Sequence, residues 1–250
     1  MNHWPLFFAL AAPLAAAPAV PPARHTIVLV HGAWGGAYAW KEVARLLTEA
    51  GNTVYRPELT GQGERVHLAT PAVGVSVHIQ DVVNAIVWED LHDVVLVGHS
   101  YGGMVITGVA DRIPGRIRRL IYLDAFLPEN GETGNDEFRL RRGDPPQKAG
   151  GYYPATWLKP GTPYPSDVAM PERTFEEPIA LTNQAAARRI PSAYVMFLPP
   201  GRPPEQGDFY VFYRRAQSRG WPVTTLESGH NAHLEHPREE AQLIERLAQR

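Results

Sequence analysis

Two apolar patterns alternate along the chain. The first is the short unbroken run, at 25–30, 94–97, 117–123, 193–197 and 223–226, with a weaker one at 53–56. Runs of this length, rich in β-branched residues, predict strands buried on both faces. The second is helical spacing. It is carried by Trp40, Val43, Leu46 and Leu47 in 38–50, which Gly51 ends, and by Ile79, Val82, Val83 and Ile86 in 77–88. Helices are also predicted over 103–110, 208–219 and 238–248. The alternation predicts an α/β fold: a mostly parallel sheet of about six strands with helices on both faces. In such sheets the functional crevice lies beyond the carboxyl ends of the strands. His31, Ser100, Asp124 and the loop holding His230 all follow strands at that edge.

Two stretches break the rhythm. Residues 127–190 are rich in Pro, Gly and charge, with Tyr152, Tyr153, Trp157 and Tyr164 interspersed. A stretch so long without strand signals predicts an inserted lid, with short helices near 175–181 and 184–189. Residues 1–23 form the other. Leu, Phe and Ala dominate from Pro5 to Val20, and Ala17 and Ala19 stand as in an A-x-A cleavage site. This reads as a secretory signal and predicts a periplasmic or secreted protein. The missing Lys or Arg before the apolar core leaves a cytoplasmic protein with a disordered extension as the other reading. The run is short and broken by prolines, so no membrane-spanning anchor is predicted. Residues 24–250 then make one domain.

Composition narrows the chemistry. A chain of 250 residues with 44% hydrophobic and 20% charged residues suits one soluble core. A net charge of −2 gives no basic footprint for nucleic acid. Cysteine is absent, which excludes disulfides and thiolate nucleophiles. The ten histidines show no metal-ligand spacing, and Gly61-Gln62-Gly63 lacks the strand-to-helix setting of a dinucleotide fingerprint. No metal and no cofactor are predicted. The expected partner is a small molecule, and the pattern is silent on oligomeric state.

The strongest chemical signal is Gly98-His99-Ser100-Tyr101-Gly102, set between a predicted strand and a predicted helix. A G-x-S-x-G sequence in that setting is a nucleophile elbow: the serine is pushed out of a sharp turn, and glycines let strand and helix approach. A serine hydroxyl needs a base, and the base needs a group to orient it. His230 follows the last strand in Ser228-Gly229-His230-Asn231 and is the candidate base. His233 competes, with packing against the last helix as its plainer role. Negative charge developing on a substrate oxygen needs two amide donors. Tyr101, after the serine, and Ala33, in the glycine-rich loop after the first strand, are the candidates for this oxyanion hole. His31 is expected to pin that loop.

The segments HGAWGGAYAW, TGQGERVHL, VVLVGHSYGG, YLDAFLPENG and SGHNAHL together resemble the α/β-hydrolase superfamily. More narrowly they resemble its branch of small esterases and hydroxynitrile lyases, which includes plant methylesterases and their bacterial relatives. The resemblance implies an α/β-hydrolase fold and a serine carboxylesterase acting on small or medium esters. It implies Ser100 as nucleophile, His230 as base, and the Ala33 and Tyr101 amides as the oxyanion hole. Plant members carry the acid of the triad after the strand that here is 193–197. This chain has Leu198-Pro199-Pro200-Gly201-Arg202-Pro203-Pro204 there, without a carboxylate. Asp124, at the end of the strand following the elbow helix, is the acid adopted. Glu205 and Asp208 are the alternatives, Asp208 with a competing role as helix N-cap. The lyases of the branch have threonine where this chain has Gly32 and lysine where it has Asn231, so the esterase reading is preferred. A non-catalytic ligand receptor on the same fold is the remaining rival.

Overall fold

The computed structural model describes residues 25–141 and 143–249; the signal-like segment lies outside them. Six strands form one parallel sheet: β1 Thr26–Val30, β2 Thr53–Tyr55, β3 Val94–His99, β4 Ile117–Leu123, β7 Ser192–Leu198 and β8 Val223–Glu227. Their order is β2-β1-β3-β4-β7-β8. β3 is buried at every position, as its unbroken apolar run requires when helices cover both faces.

One face carries α2 Val75–Trp88, α3 Gly102–Arg112 and α7 Tyr210–Ser218, packed on Val28, Leu96 and Tyr122. The other carries α1 Lys41–Glu49 and α9 Pro237–Ala248, packed on Leu29, Val95 and Ile121. Alternate residues of each strand thus serve opposite layers. A 3₁₀ turn, Ala37–Trp40, leads into α1, so the expected helix from residue 38 starts tighter than an α-helix.

The chain leaves β1 toward β2 and returns across it to β3. The order reverses between β1 and β3, and ligand crevices form outside the strand ends at such a point. Register sharpens this. Val30 lies opposite Gly98, and His99 opposite Leu123. Ser100 and Asp124 therefore leave the sheet at the same level.

Between β4 and β7 the chain adds α4 Gly134–Leu140, a ribbon of β5 Tyr152–Tyr153 and β6 Met170–Pro171, α5 Arg173–Glu176 and α6 Gln184–Ala187. α4 and the ribbon were not expected from the pattern. α4 has a sequence signal all the same: Thr133 and Asp136 exchange side-chain-to-backbone bonds in a capping box. The helix expected near 175–181 ends earlier, because Pro178 forces Glu177 into extended backbone. Asp208 does not cap α7. Phe209 holds the cap position, with its ring buried and no side-chain cap bond, and Asp208 is exposed.

Candidate active site

Ser100 sits at φ 54°, in the left-handed region that costs a non-glycine residue energy. Its surroundings hold it there. The Ser100 amide donates to Leu123 O at 3.2 Å, and Ser100 O accepts from Phe126 N and Gly103 N, both at 3.0 Å. Gly102 lets the turn close on β1: a Cβ there would lie 2.8 Å from Val30 O. The turn aims Oγ away from the sheet and leaves the Tyr101 amide at the entrance of α3.

The structure brings His230 between Ser100 and Asp124. His230 Nε2 is 3.0 Å from Ser100 Oγ, and Nδ1 is 2.6 Å from Asp124 Oδ2. With a proton on Nδ1 the ring donates to the carboxylate and accepts from the serine hydroxyl. Asp124 is buried and fixed. Its Oδ1 accepts the Phe197 amide of β7 at 3.0 Å, and its own amide donates to Val195 O at 2.7 Å. The strand that ends without an acid thus supplies a donor to the acid from β4. Asp208 and Glu205 are exposed and form no hydrogen bond with His230.

The oxyanion candidates are positioned by groups behind them. The Tyr101 side chain is fully buried and bonds through Oη to His78 Nδ1 at 3.0 Å; His78 Nε2 meets Thr60 O at 2.9 Å. The carbonyl requires a proton on Nε2, so Tyr101 donates to Nδ1. Burial lowers the His78 pKa to about 4, consistent with this neutral ring. Ala33 follows His31 and Gly32. His31 pins that loop: Nδ1 lies 2.8 Å from Gly32 O, and Nε2 lies 3.0 Å from Glu58 and 3.3 Å from Leu59 N. Gly32 is packed against the elbow, where a Cβ would lie 3.0 Å from the Cβ of Ser100.

Other contacts were not anticipated from the sequence. His99 Nε2 meets the His230 carbonyl at 2.8 Å, tying the elbow strand to the loop that holds His230. Burial, and then the neighbouring His230 and His233, push the His99 pKa well below its usual value. Phe209 stacks on His230, with centroids 5.0 Å apart and rings 14° from parallel. His233 lies in α8 Ala232–Glu235, buried against Trp40 and His99. Its role is packing, but its ring partners are Trp40 and His99 rather than the last helix. Only the position of His99 inside the elbow motif hinted at any of this.

Ser100 and His230 open on a cavity of about 480 Å³ that Ala33 and Tyr101 also line. Its walls are aromatic, from Trp34, Tyr38, Phe126, Phe138 and Trp157. Phe138 and Trp157 come from residues 127–190. Trp34 donates to Tyr153 O at 2.9 Å, and Asp167 accepts from Tyr38 and Trp157 at 2.8 Å each. The segment is therefore bonded to the loop after β1.

An elbow serine, a histidine from the last strand loop and this sheet order define an α/β hydrolase. The model of the alpha/beta hydrolase family matches residues 27–243, and the chain belongs to that family. It is 37% identical over 245 residues to the carbendazim hydrolyzing esterase of Nocardioides sp., covering 88% of this chain and 97% of that one. It is 34% identical over 107 residues to an alpha-hydroxynitrile lyase of Arabidopsis thaliana, covering 42% of each. The fold superposes with a TM-score of 0.67 and 26% identity on an extracellular alpha/beta-hydrolase from a Paenibacillus species, covering 90% of this chain and 99% of that one. That protein is described as sharing structural and functional homology with tobacco salicylic acid binding protein 2. Family membership and an esterase relative matched over nearly its whole length make the chain a carboxylic ester hydrolase.

Proposed function

We propose that the enzyme is a serine carboxylesterase that cleaves small or medium carboxylic esters through Ser100, His230 and Asp124. One observation carries the reading: a single imidazole lies within hydrogen-bond reach of both the elbow hydroxyl and a buried carboxylate. Ser100 Oγ attacks the ester carbonyl as His230 Nε2 takes its proton. Asp124 holds the tautomer and stabilises the imidazolium. The Ala33 and Tyr101 amides receive the developing oxyanion. His230 returns the proton to the leaving alcohol, and water, activated by the same imidazole, hydrolyses the acyl-enzyme.

The cavity volume suits a ligand of modest size, and its aromatic walls favour an apolar body. Residues 127–190 act as the lid of this pocket. The signal-like residues 1–23 and the extracellular Paenibacillus relative support export. Lyase chemistry on the same scaffold is disfavoured. A threonine Cβ at position 32 would crowd the Cβ of Ser100, and Asn231 supplies no cation beside the base. A fluorophosphonate probe should label Ser100, and p-nitrophenyl and methyl esters should be hydrolysed. Cyanide release from mandelonitrile without ester hydrolysis would reverse the choice.

A further inference from the structure

Two formally charged side chains besides the histidines line the catalytic cavity among the described residues, and they differ in one respect. Asp167 has a donor on each oxygen, Tyr38 on one and Trp157 on the other. Arg141 has no carboxylate partner and no side-chain hydrogen bond among the described residues. Its guanidinium is nevertheless held in place. The Cζ lies 4.9 Å from the centroid of Phe209 and 5.4 Å from that of Phe138. Phe209 is the ring that stacks on His230 at 5.0 Å. Those two distances from Phe209 together set the farthest the guanidinium can stand from the imidazole. Phe138 is fixed in turn by Phe126 at 5.2 Å and Phe175 at 5.2 Å.

The guanidinium carbon lies over both rings, and the N–H donors of the group meet no protein acceptor among the described residues. Guanidinium edges match a carboxylate in two parallel charge-assisted bonds, a geometry that ammonium does not reproduce. A half-buried, oriented cation whose donors meet no protein acceptor among the described residues is arranged for an anion brought by the ligand. Resting on the esterase reading above, we propose that Arg141 reads a carboxylate on the substrate and that the preferred substrates are anionic esters. These are half-esters of dicarboxylic acids, or esters of carboxylated alcohols and phenols, with the carboxylate remote from the scissile bond. An apolar or aromatic body would span the cavity between Ser100 and Arg141.

The test uses matched pairs: methyl benzoate against methyl 4-carboxybenzoate, and phenyl acetate against 4-acetoxybenzoate. The full-length enzyme is compared with Arg141→Gln and Arg141→Lys, with fluorophosphonate labelling of Ser100 run alongside. In wild type, kcat/KM for the carboxylated member of at least one pair should exceed its neutral partner by about tenfold, as one charge-assisted pair allows. The preference should vanish in Arg141→Gln, with KM carrying the change, and return in part in Arg141→Lys. The readout is the ratio between the two members of a pair, so any loss on the neutral esters in the variants should be smaller than the loss on their carboxylated partners. Equal treatment of both members by wild type, or an equal loss on both in Arg141→Gln, overturns the inference and leaves the esterase standing. Failure of Ser100 to label, with no ester cleaved, overturns the esterase reading and this inference with it.

Discussion

His230 Nδ1 lies 2.6 Å from Asp124 Oδ2, although 106 residues separate the two in the chain. β4 and β7 are paired, so the carboxylate leaving β4 also reaches the Phe197 amide of β7 at 3.0 Å. An acid held from both sides keeps one imidazole tautomer, and the tautomer decides whether Nε2 can accept the serine proton.

Replacing Asp124 by Asn therefore removes most of the activity. An amide in that place favours the wrong tautomer and lowers kcat by about 10⁴-fold, as in serine hydrolases generally. Asp208→Asn and Glu205→Gln leave kcat within about twofold, since exposed groups away from the imidazole change little. Steady-state kinetics on p-nitrophenyl acetate separate the cases. Loss in Asp208→Asn alone would move the acid elsewhere.

Gly32 tests the packing of the oxyanion loop. In Gly32→Ala the added Cβ must displace either Ser100 or the Ala33 loop, because it would lie 3.0 Å from the serine Cβ. Displacements of this kind cost about 10²-fold in kcat when they fall on reacting groups. The melting temperature should fall by only a few degrees, as for a change of about 1 kcal/mol. A fully active variant would mean that this loop does not bear on catalysis.

His233 gives the acid limb of stability a single-residue reading. Burial first, and then the charges of His230 and His31, lower its pKa to about 3, below the unfolded value of about 6.5. The folded state therefore resists a proton that the unfolded chain accepts. The stability contributed by this neutral ring is intact above pH ~6.5 and declines by about 1.4 kcal/mol per unit as pH falls toward the folded pKa. His233→Phe removes the proton site, and the Nδ1 it deletes has no partner among the described residues. Urea melts at pH ~8 and pH ~5 should show the variant gaining about 2 kcal/mol on wild type between them. A difference that stays constant with pH would show that His233 is not held neutral.

The parts of this molecule written in local pattern were readable before the structure. Ile117–Leu123 is a strand at both ends as its apolar run states, and the elbow at Ser100 is legible because strand, turn and helix signals converge on five residues. What the pattern could not carry is made by distant pairs. Asp124 Oδ1 finds its donor on Phe197, His99 finds the carbonyl of His230, and Tyr101 is tethered by His78. None of these has a sequence spacing that would reveal it. α4 was overlooked for a different reason. Its capping box was present, but seven residues among prolines and charges carry too little periodicity to stand out. Arg141 stands in the basic run Arg139-Leu140-Arg141-Arg142, where nothing in the pattern sets it apart; only its place against Phe138 and Phe209 singles it out.

The central claim is that Ser100 is the nucleophile. Single-turnover and steady-state hydrolysis of p-nitrophenyl acetate by wild type and Ser100→Ala tests it most directly, with intact-mass analysis after fluorophosphonate treatment. One adduct per wild-type chain on Ser100 and none on the variant are expected, with a rate lower by about 10⁴-fold or more in Ser100→Ala. Near-full hydrolysis by Ser100→Ala, or an adduct on another residue, would contradict it.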